Sequence, residues 1–385
     1  MAQTSNYRAE VDLKRTEHLR ELLKHLPRVC RDYFLSITMT TSTLTRLAYA
    51  YDFRIFFDYL CKENPMFADT DPYLITPEQI NMITATDIAG YQEYLTHYYS
   101  VDENSGDEKI IQNGELGIMR KLCSIRSLFE FLFKNKYISA NVTTLVDLPK
   151  HHEKPILRLE RDEMEKLLQT VDSGDGLSKR QKTYAKFTGT RDKAIITLFL
   201  GTGIRVSECV GLDIADIDFD LNAFAVTRKG GNQAILYFPD EVATALKDYL
   251  AQRETIEPME GHENAFFLSM QKRRITQRAV ENLVKKYAII AAPLKKRISP
   301  HKLRSTFGTN LYQESGDIYL VADVLGHSDV NTTRKHYAAM TDSRRRMAAG
   351  MVKLGTTAEK TVDSDKDTDE IYDESVAVNN EKTEE

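Results

Sequence analysis

The 385-residue sequence has no apolar run able to cross a membrane. Its longest, AIITLFL at 194–200, is far short of the roughly 20 residues a spanning helix needs. The opening stretch MAQTSNYRAEVDLKRTEHLR lacks the apolar core of a secretory signal. Both absences lead us to expect a cytoplasmic protein with no membrane partner. Cysteine is scarce: Cys30, Cys61, Cys123 and Cys209 are scattered without C-x-x-C spacing, so neither a zinc site nor a disulfide framework is expected. They read as small buried or half-buried residues. No metal-ligand set is visible, and no cofactor is expected. Strong charge is also missing from most of the chain. The net −5 comes from residues 355–385, where 11 Asp and Glu face three Lys, leaving the remainder at +3. That acidic segment has few apolar residues and no period, so it cannot bury enough surface to offset its chain entropy and is expected to be disordered.

What is present is an ordinary globular composition, 42% hydrophobic and 28% charged, in a chain long enough for about two domains. From 17 to 150 the segments EHLRELLKHLPRVCRDYFLSI, TLTRLAYAYDFRIFFDYLCKEN, TATDIAGYQEYLTHYY and ELGIMRKLCSIRSLFEFLFKNKY repeat apolar residues at three-to-four spacing, which predicts four or five helices and no strand. Thr76 before Pro77, and Thr86 with Asp87, are candidate helix starts. VDLPKHHEKPILRLERDE carries two prolines and mixed charge and reads as a linker centred on 151–160. Residues 161–354 form the second region. RDEMEKLLQTV is a helix, and DSGDGLSKRQKTYAKFTGTRDK reads as an exposed basic loop or insertion. AIITLFL then runs through a Gly-Thr-Gly turn into IRVSECVGL. The two good strands, IDFDLNAFAVT and QAILYF, flank RKGGN and predict a hairpin; the rest is helical. The expected fold is mainly α with a small antiparallel sheet: a helical N-terminal domain and an α+β C-terminal one.

Candidate chemistry gathers in the second region. In SPHKLRSTFGTNLY (299–312), Ser299 can cap a helix whose first residue is Pro300. His301 and Arg304 then share a face, opposite Leu303, Phe307 and Leu311. Alone, such a face is more often merely solvated. Arg205 follows the glycine turn at a helix start, where free N–H groups favour an anion, and Glu208 one turn on is placed to orient its guanidinium. Lys229 sits in the predicted hairpin turn. LGHSDVNTTRKHYA (325–338) adds His327 and Tyr337, each unremarkable by itself.

Taken together, LGTGIRVSECVGL, VTRKGGNQAILYFP, PHKLRSTFGTNLY and LGHSDVNTTRKHYA resemble the tyrosine recombinases, or phage-type integrases, across roughly residues 20–350. The long helical N-terminal region, the VTRKGG turn and the basic insertion look like the XerS branch of the Xer-type enzymes. The resemblance implies a helical, SAM-like core-binding domain followed by a catalytic domain. It implies that Arg205 and Arg304 clamp a scissile phosphate with His301 between them. It likewise casts Lys229 as the hairpin lysine at the leaving group, His327 as the second histidine, Tyr337 as the nucleophile and Glu208 as the acidic residue after the first arginine. Arg228 and Ser305 depart from the commoner glycine and histidine. The implied activity is site-specific recombination of double-stranded DNA at an inverted-repeat site through a 3′-phosphotyrosyl intermediate, by a homotetramer and without metal. It would serve chromosome dimer resolution, with chromosome partition and cell division, or movement of an element. The alternatives are a type IB topoisomerase and a non-catalytic DNA-binding regulator. The basic runs at 228–230, 272–274 and 295–297 are candidate phosphate contacts, 343–355 a candidate helix docking on a neighbouring protomer, and 355–385 a solubilising tail or a brake competing with DNA.

Overall fold

The computed structural model describes residues 7–68, 70–101, 106–150, 152, 157–228, 231–295, 297–326 and 330. The chain parts into two compact units, 1–310 and 311–385. Two hydrophobic cores lie within the first.

The N-terminal core is helical. α1 (Tyr7–Leu22), α2 (Arg28–Ser36), α3 (Thr43–Glu63), α4 (Pro77–Ile80) and α5 (Ala85–Tyr94) precede a hairpin of β1 (His97–Val101) and β2 (Glu108–Gln112), and α6 (Glu115–Lys134) closes it. Its centre is aromatic: Phe53, Phe56, Phe57 and Phe129 are fully buried, with Phe56 edge-on to Tyr91 at 4.9 Å. Thr76 caps α4 in a Thr-x-x-Gln box with Pro77 at the first position, as expected. At α5 the cap is Thr84, boxed with Asp87, rather than Thr86: the side chain that reaches the third N–H lies two residues upstream of the expected one. The helical pattern also starts earlier than 17, at Tyr7.

The β1–β2 hairpin corrects the all-helical expectation for this region. The strands pair antiparallel from His97↔Gln112 to Val101↔Glu108. The expected helical repeat runs on to Tyr99 because the tyrosines keep the apolar spacing, and the Tyr98 ring does stack on Tyr94 at 5.2 Å, but the backbone there is extended.

The second core runs from Leu159 to Leu303. It comprises α7 (Arg161–Ser173), α8 (Lys179–Thr202), α9 (Val206–Gly211), the sheet β3 (Ile217–Asp218), β4 (Ala223–Thr227) and β5 (Gln233–Tyr237), α10 (Asp240–Glu254), α11 (Gln277–Ala291) and α12 (Pro300–Ser315). The sheet order is β3-β4-β5, antiparallel throughout, so the predicted hairpin and the mainly α fold with a small antiparallel sheet are both present. In the unit that starts at Leu311, α13 (Ile318–Leu325) ends at Gly326 in the left-handed conformation.

The basic stretch expected as a loop is mostly helix. Ser178 caps α8 in a Ser-x-x-Gln box with Gln181, after Gly174 and Gly176 turn the chain with positive φ. The capping box outweighs the stretch's polarity. At its other end Gly201 packs so tightly on α10 that a Cβ there would stand 2.4 Å from Val242 Cγ2. Gly203 takes φ 62° as the C-cap. The two glycines of Gly-Thr-Gly thus have different duties, close approach and a left-handed turn.

Two further expectations are corrected. Cys123 is exposed, while Cys30 and Cys209 are buried and Cys61 is intermediate; the face of α6 that carries Cys123 meets solvent. In the 272–274 run, Arg274 is structural: it donates to the carbonyls of Val210 and Leu212 at 3.2 and 2.9 Å and pairs with Asp213, leaving its side chain 8% exposed. Lys295 likewise turns inward, to Arg158 O at 2.9 Å and to Glu163.

Candidate active site

The turn after α8 gathers the described part of the site. Arg205 stands at the N-cap of α9 with extended backbone. The Glu208 carboxylate accepts from the Arg205 backbone N–H through Oε2 and from its guanidinium through Oε1, both at 2.9 Å. Glu208 is 3% exposed at its side chain and Arg205 29%. A buried carboxylate therefore fixes a guanidinium whose outer edge still meets solvent, as the one-turn spacing predicted.

Arg304 reaches the same turn from α12. Its guanidinium donates to the carbonyl of Gly203, 101 residues away in sequence, two residues before Arg205. α12 starts as expected: the Ser299 carbonyl accepts from Lys302 and Leu303 N–H, with Pro300 as first residue. The face assignment needs revision, because Arg304 is 6% exposed while His301, one turn earlier, is exposed. Leu303 is buried, but Phe307 and Leu311 are only half-buried, and Thr306 and Thr309 take the tight contacts instead. Thr306 Oγ1 accepts the Leu159 N–H at 3.0 Å, pinning the end of the expected linker to the site helix. That contact carries no sequence signal, since Thr306 sits in an ordinary helical pattern.

Arg205, Glu208 and Arg304 thus converge on one turn, with His301 on the open side of the helix that delivers Arg304. Lys229, His327 and Tyr337 lie outside the described residues, as do the proposed docking helix at 343–355 and the acidic tail. The Lys229 turn is described at its flanks: Arg228 N–H donates to Asn232 O at 2.7 Å and Gly231 N–H to Arg228 O at 3.1 Å. Among the described residues no group of His, Cys, Asp or Glu is placed to hold a metal ion, and no helix is long and apolar enough to cross a membrane. Two guanidiniums, one held by a buried acid and one by a carbonyl, thus meet at one turn, and planar forks of this kind suit paired hydrogen bonds to an oxyanion.

Residues 157–344 match the phage integrase family. Tyrosine recombinase XerC of Caldanaerobacter subterraneus subsp. tengcongensis is 34% identical over 337 residues, covering 85% of this chain and 87% of the relative. The chain belongs to the tyrosine recombinases. Within that family this recombinase is also similar to tyrosine recombinase XerD of Staphylococcus aureus (strain Mu50), 30% identical over 68% of the chain and 88% of the relative; it is of the Xer type. Its fold matches XerH site-specific recombinase bound to a palindromic difH substrate, with a TM-score of 0.60 at 20% identity over 80% of each chain. The fold also matches the Tn1549 transposon integrase in complex with circular intermediate DNA, with a TM-score of 0.58 at 20% identity over 83% of this chain and 99% of the other.

Proposed function

We propose that this tyrosine recombinase cleaves and rejoins double-stranded DNA at an inverted-repeat site, with Tyr337 as nucleophile. The observation that carries the reading is the convergence of Arg205 and Arg304 on the Gly203–Glu208 turn. A phosphodiester hides its phosphorus behind negative oxygens, so attack needs charge neutralisation first. Two guanidiniums supply it with paired donors that stay charged near neutral pH, and loss of one such donor commonly costs about 3 kcal/mol in the barrier.

In the first step the Tyr337 oxygen bonds to phosphorus and gives its proton to His301, since a phenol with pKa about 10 is a weak nucleophile at neutral pH. The bond from phosphorus to the 5′-oxygen breaks, and that oxygen takes both the electron pair and a proton from Lys229. His327 donates to the phosphate beside the arginines. The 3′-phosphotyrosyl bond conserves the energy of the diester, so a 5′-hydroxyl from a second duplex rejoins it without ATP. We further propose that 17–150 is the core-binding domain, 151–160 the linker and 161–354 the catalytic domain. The two close round the duplex and a homotetramer acts in the cytoplasm, where chromosomal DNA is. The N-terminal length and the VTRKGG turn support a reading as an enzyme of the XerS branch, in chromosome dimer resolution or in movement of an element.

The test is recombination between two cognate sites on one plasmid. Wild type exchanges partners, whereas Arg205→Ala and Arg304→Ala keep DNA affinity within about threefold yet form no covalent adduct, because affinity is spread over many phosphates and the barrier is not. Relaxation of supercoils without exchange would assign a topoisomerase, and equal loss of binding and cleavage would contradict the clamp.

A further inference from the structure

The first turn of α1 reaches the sheet that leads into the Lys229 turn. The last turns of α1 bury Leu19 and Leu22 in the N-terminal core, but Tyr7 packs against the second core. The Arg274 guanidinium lies 4.8 Å above the Tyr7 ring. Because Arg274 is itself fixed by the Val210 and Leu212 carbonyls and Asp213, the ring rests on a rigid platform at the end of α9. Arg8 beside it donates to the Thr227 carbonyl, at the last residue of β4.

Strand register explains why that carbonyl is available. Arg228 hydrogen-bonds to Asn232 across the hairpin, so by antiparallel alternation Thr227 turns its carbonyl away from β5, toward the β3 side. β3 is two residues long and pairs only with Ala223 and Phe224, which leaves the Thr227 end of β4 uncovered by strand. Arg8 takes that place. The same edge borders a cavity of about 360 Å³ whose walls include Arg8, Glu208, Asp213, Ala225 and Thr227. The end of β4 is therefore held there by polar contacts over open volume, two residues before Lys229. Beyond it Gly231 takes φ 89°, a left-handed conformation that glycine adopts without a Cβ penalty.

We propose that Arg8 and Tyr7 are positioning residues for the Lys229 turn, fixing the end of β4 so that the lysine ammonium is delivered to the departing 5′-oxygen. This rests on the reading of Lys229 as the proton donor. Misplacement of a reacting group by about 1 Å costs on the order of a hundredfold in rate, so loss of one of two tethers is expected to cost about tenfold.

The experiment uses the full chain and two suicide duplexes, one natural and one with sulfur in place of the bridging 5′-oxygen at the scissile phosphate. A thiol has a pKa of about 8.5, so the sulfur leaves as thiolate without a proton donor. Expected is a roughly tenfold slower adduct formation by Arg8→Ala and Tyr7→Ala on the oxygen duplex at saturating DNA, wild-type rates on the sulfur duplex, and partial recovery in Arg8→Lys. Arg8→Ala cleaving the oxygen duplex at the wild-type rate, or slowed equally on both, overturns the proposal. Lys229→Ala on the same pair separates the two readings. If sulfur fails to rescue it, the proton-donor role falls and the proposal with it; if sulfur rescues it while Arg8→Ala shows no selectivity, only the positioning role falls.

Discussion

Glu208 offers the sharpest test of the arginine clamp, because it is buried and both its carboxylate oxygens bond to Arg205. Its two oxygens each accept one donor at 2.9 Å. A hydrogen bond to a charged group is worth about 1.5–3 kcal/mol. Arg205 keeps 29% side-chain exposure, so water partly replaces the lost partner and the lower end of that range applies to the guanidinium. Glu208→Ala should therefore lower stability by about 3–4.5 kcal/mol in total. With about 1.4 kcal/mol per tenfold in rate, it should slow adduct formation by about a hundredfold as the guanidinium loses its fixed direction. Glutamine has one acceptor oxygen, so it satisfies one of the two donors and presents an N–H to the other. Glu208→Gln should cleave about tenfold more slowly with stability within about 1.5 kcal/mol of wild type. The assay is single-turnover adduct formation on a nicked suicide duplex at saturating protein, with urea unfolding of the same variants and Kd for uncleavable duplex. DNA affinity should change by less than about threefold, since many phosphates share it. Both variants cleaving at the wild-type rate would refute the claim that Glu208 orients a catalytically required Arg205.

Two predictions concern stability. Asp52 is 1% exposed and receives both forks of Arg120, which is 49% exposed. Arg120→Ala strands a buried carboxylate and should cost about 3 kcal/mol, most of it recovered in Asp52→Asn with Arg120→Ala, as read by urea midpoints. Burial pushes the Asp52 carboxyl above its ordinary range, outweighing the guanidinium. Its contribution to stability is thus full below the ordinary value and is lost as pH rises through the raised one, and Arg120→Ala should move that loss to higher pH. Gly201→Ala would place its Cβ 2.4 Å from Val242 Cγ2 and should cost about 1–3 kcal/mol, with Val242→Ala restoring part of it; an unchanged midpoint would show that α8 and α10 can part without cost.

How much was legible in the sequence followed the range of the interactions. Local signals carried Thr76-Pro77, the RKGGN hairpin and the Arg205–Glu208 pair, because each is complete within a few residues. Ser178-x-x-Gln181 was equally local but was masked by the polarity of its helix. Tyr98 blurred the end of α5 because one aromatic serves both a helical repeat and a strand. What sequence could not supply was partnership at a distance: Arg304 with Gly203, Thr306 with Leu159, and Arg274 with two carbonyls of α9 and its C-cap. An arginine written among basic neighbours looks the same whether it awaits a phosphate or satisfies carbonyls. The family motifs pointed to the candidate side chains, while the fold alone revealed that Arg304 is buried and Arg274 occupied.

The central claim is tested most directly by trapping the protein on a nicked duplex and sequencing the DNA-linked peptide by mass spectrometry. The account predicts a single 3′-phosphate adduct on Tyr337, absent in Tyr337→Phe. An adduct on another residue, or none from a protein that binds the duplex, would contradict it.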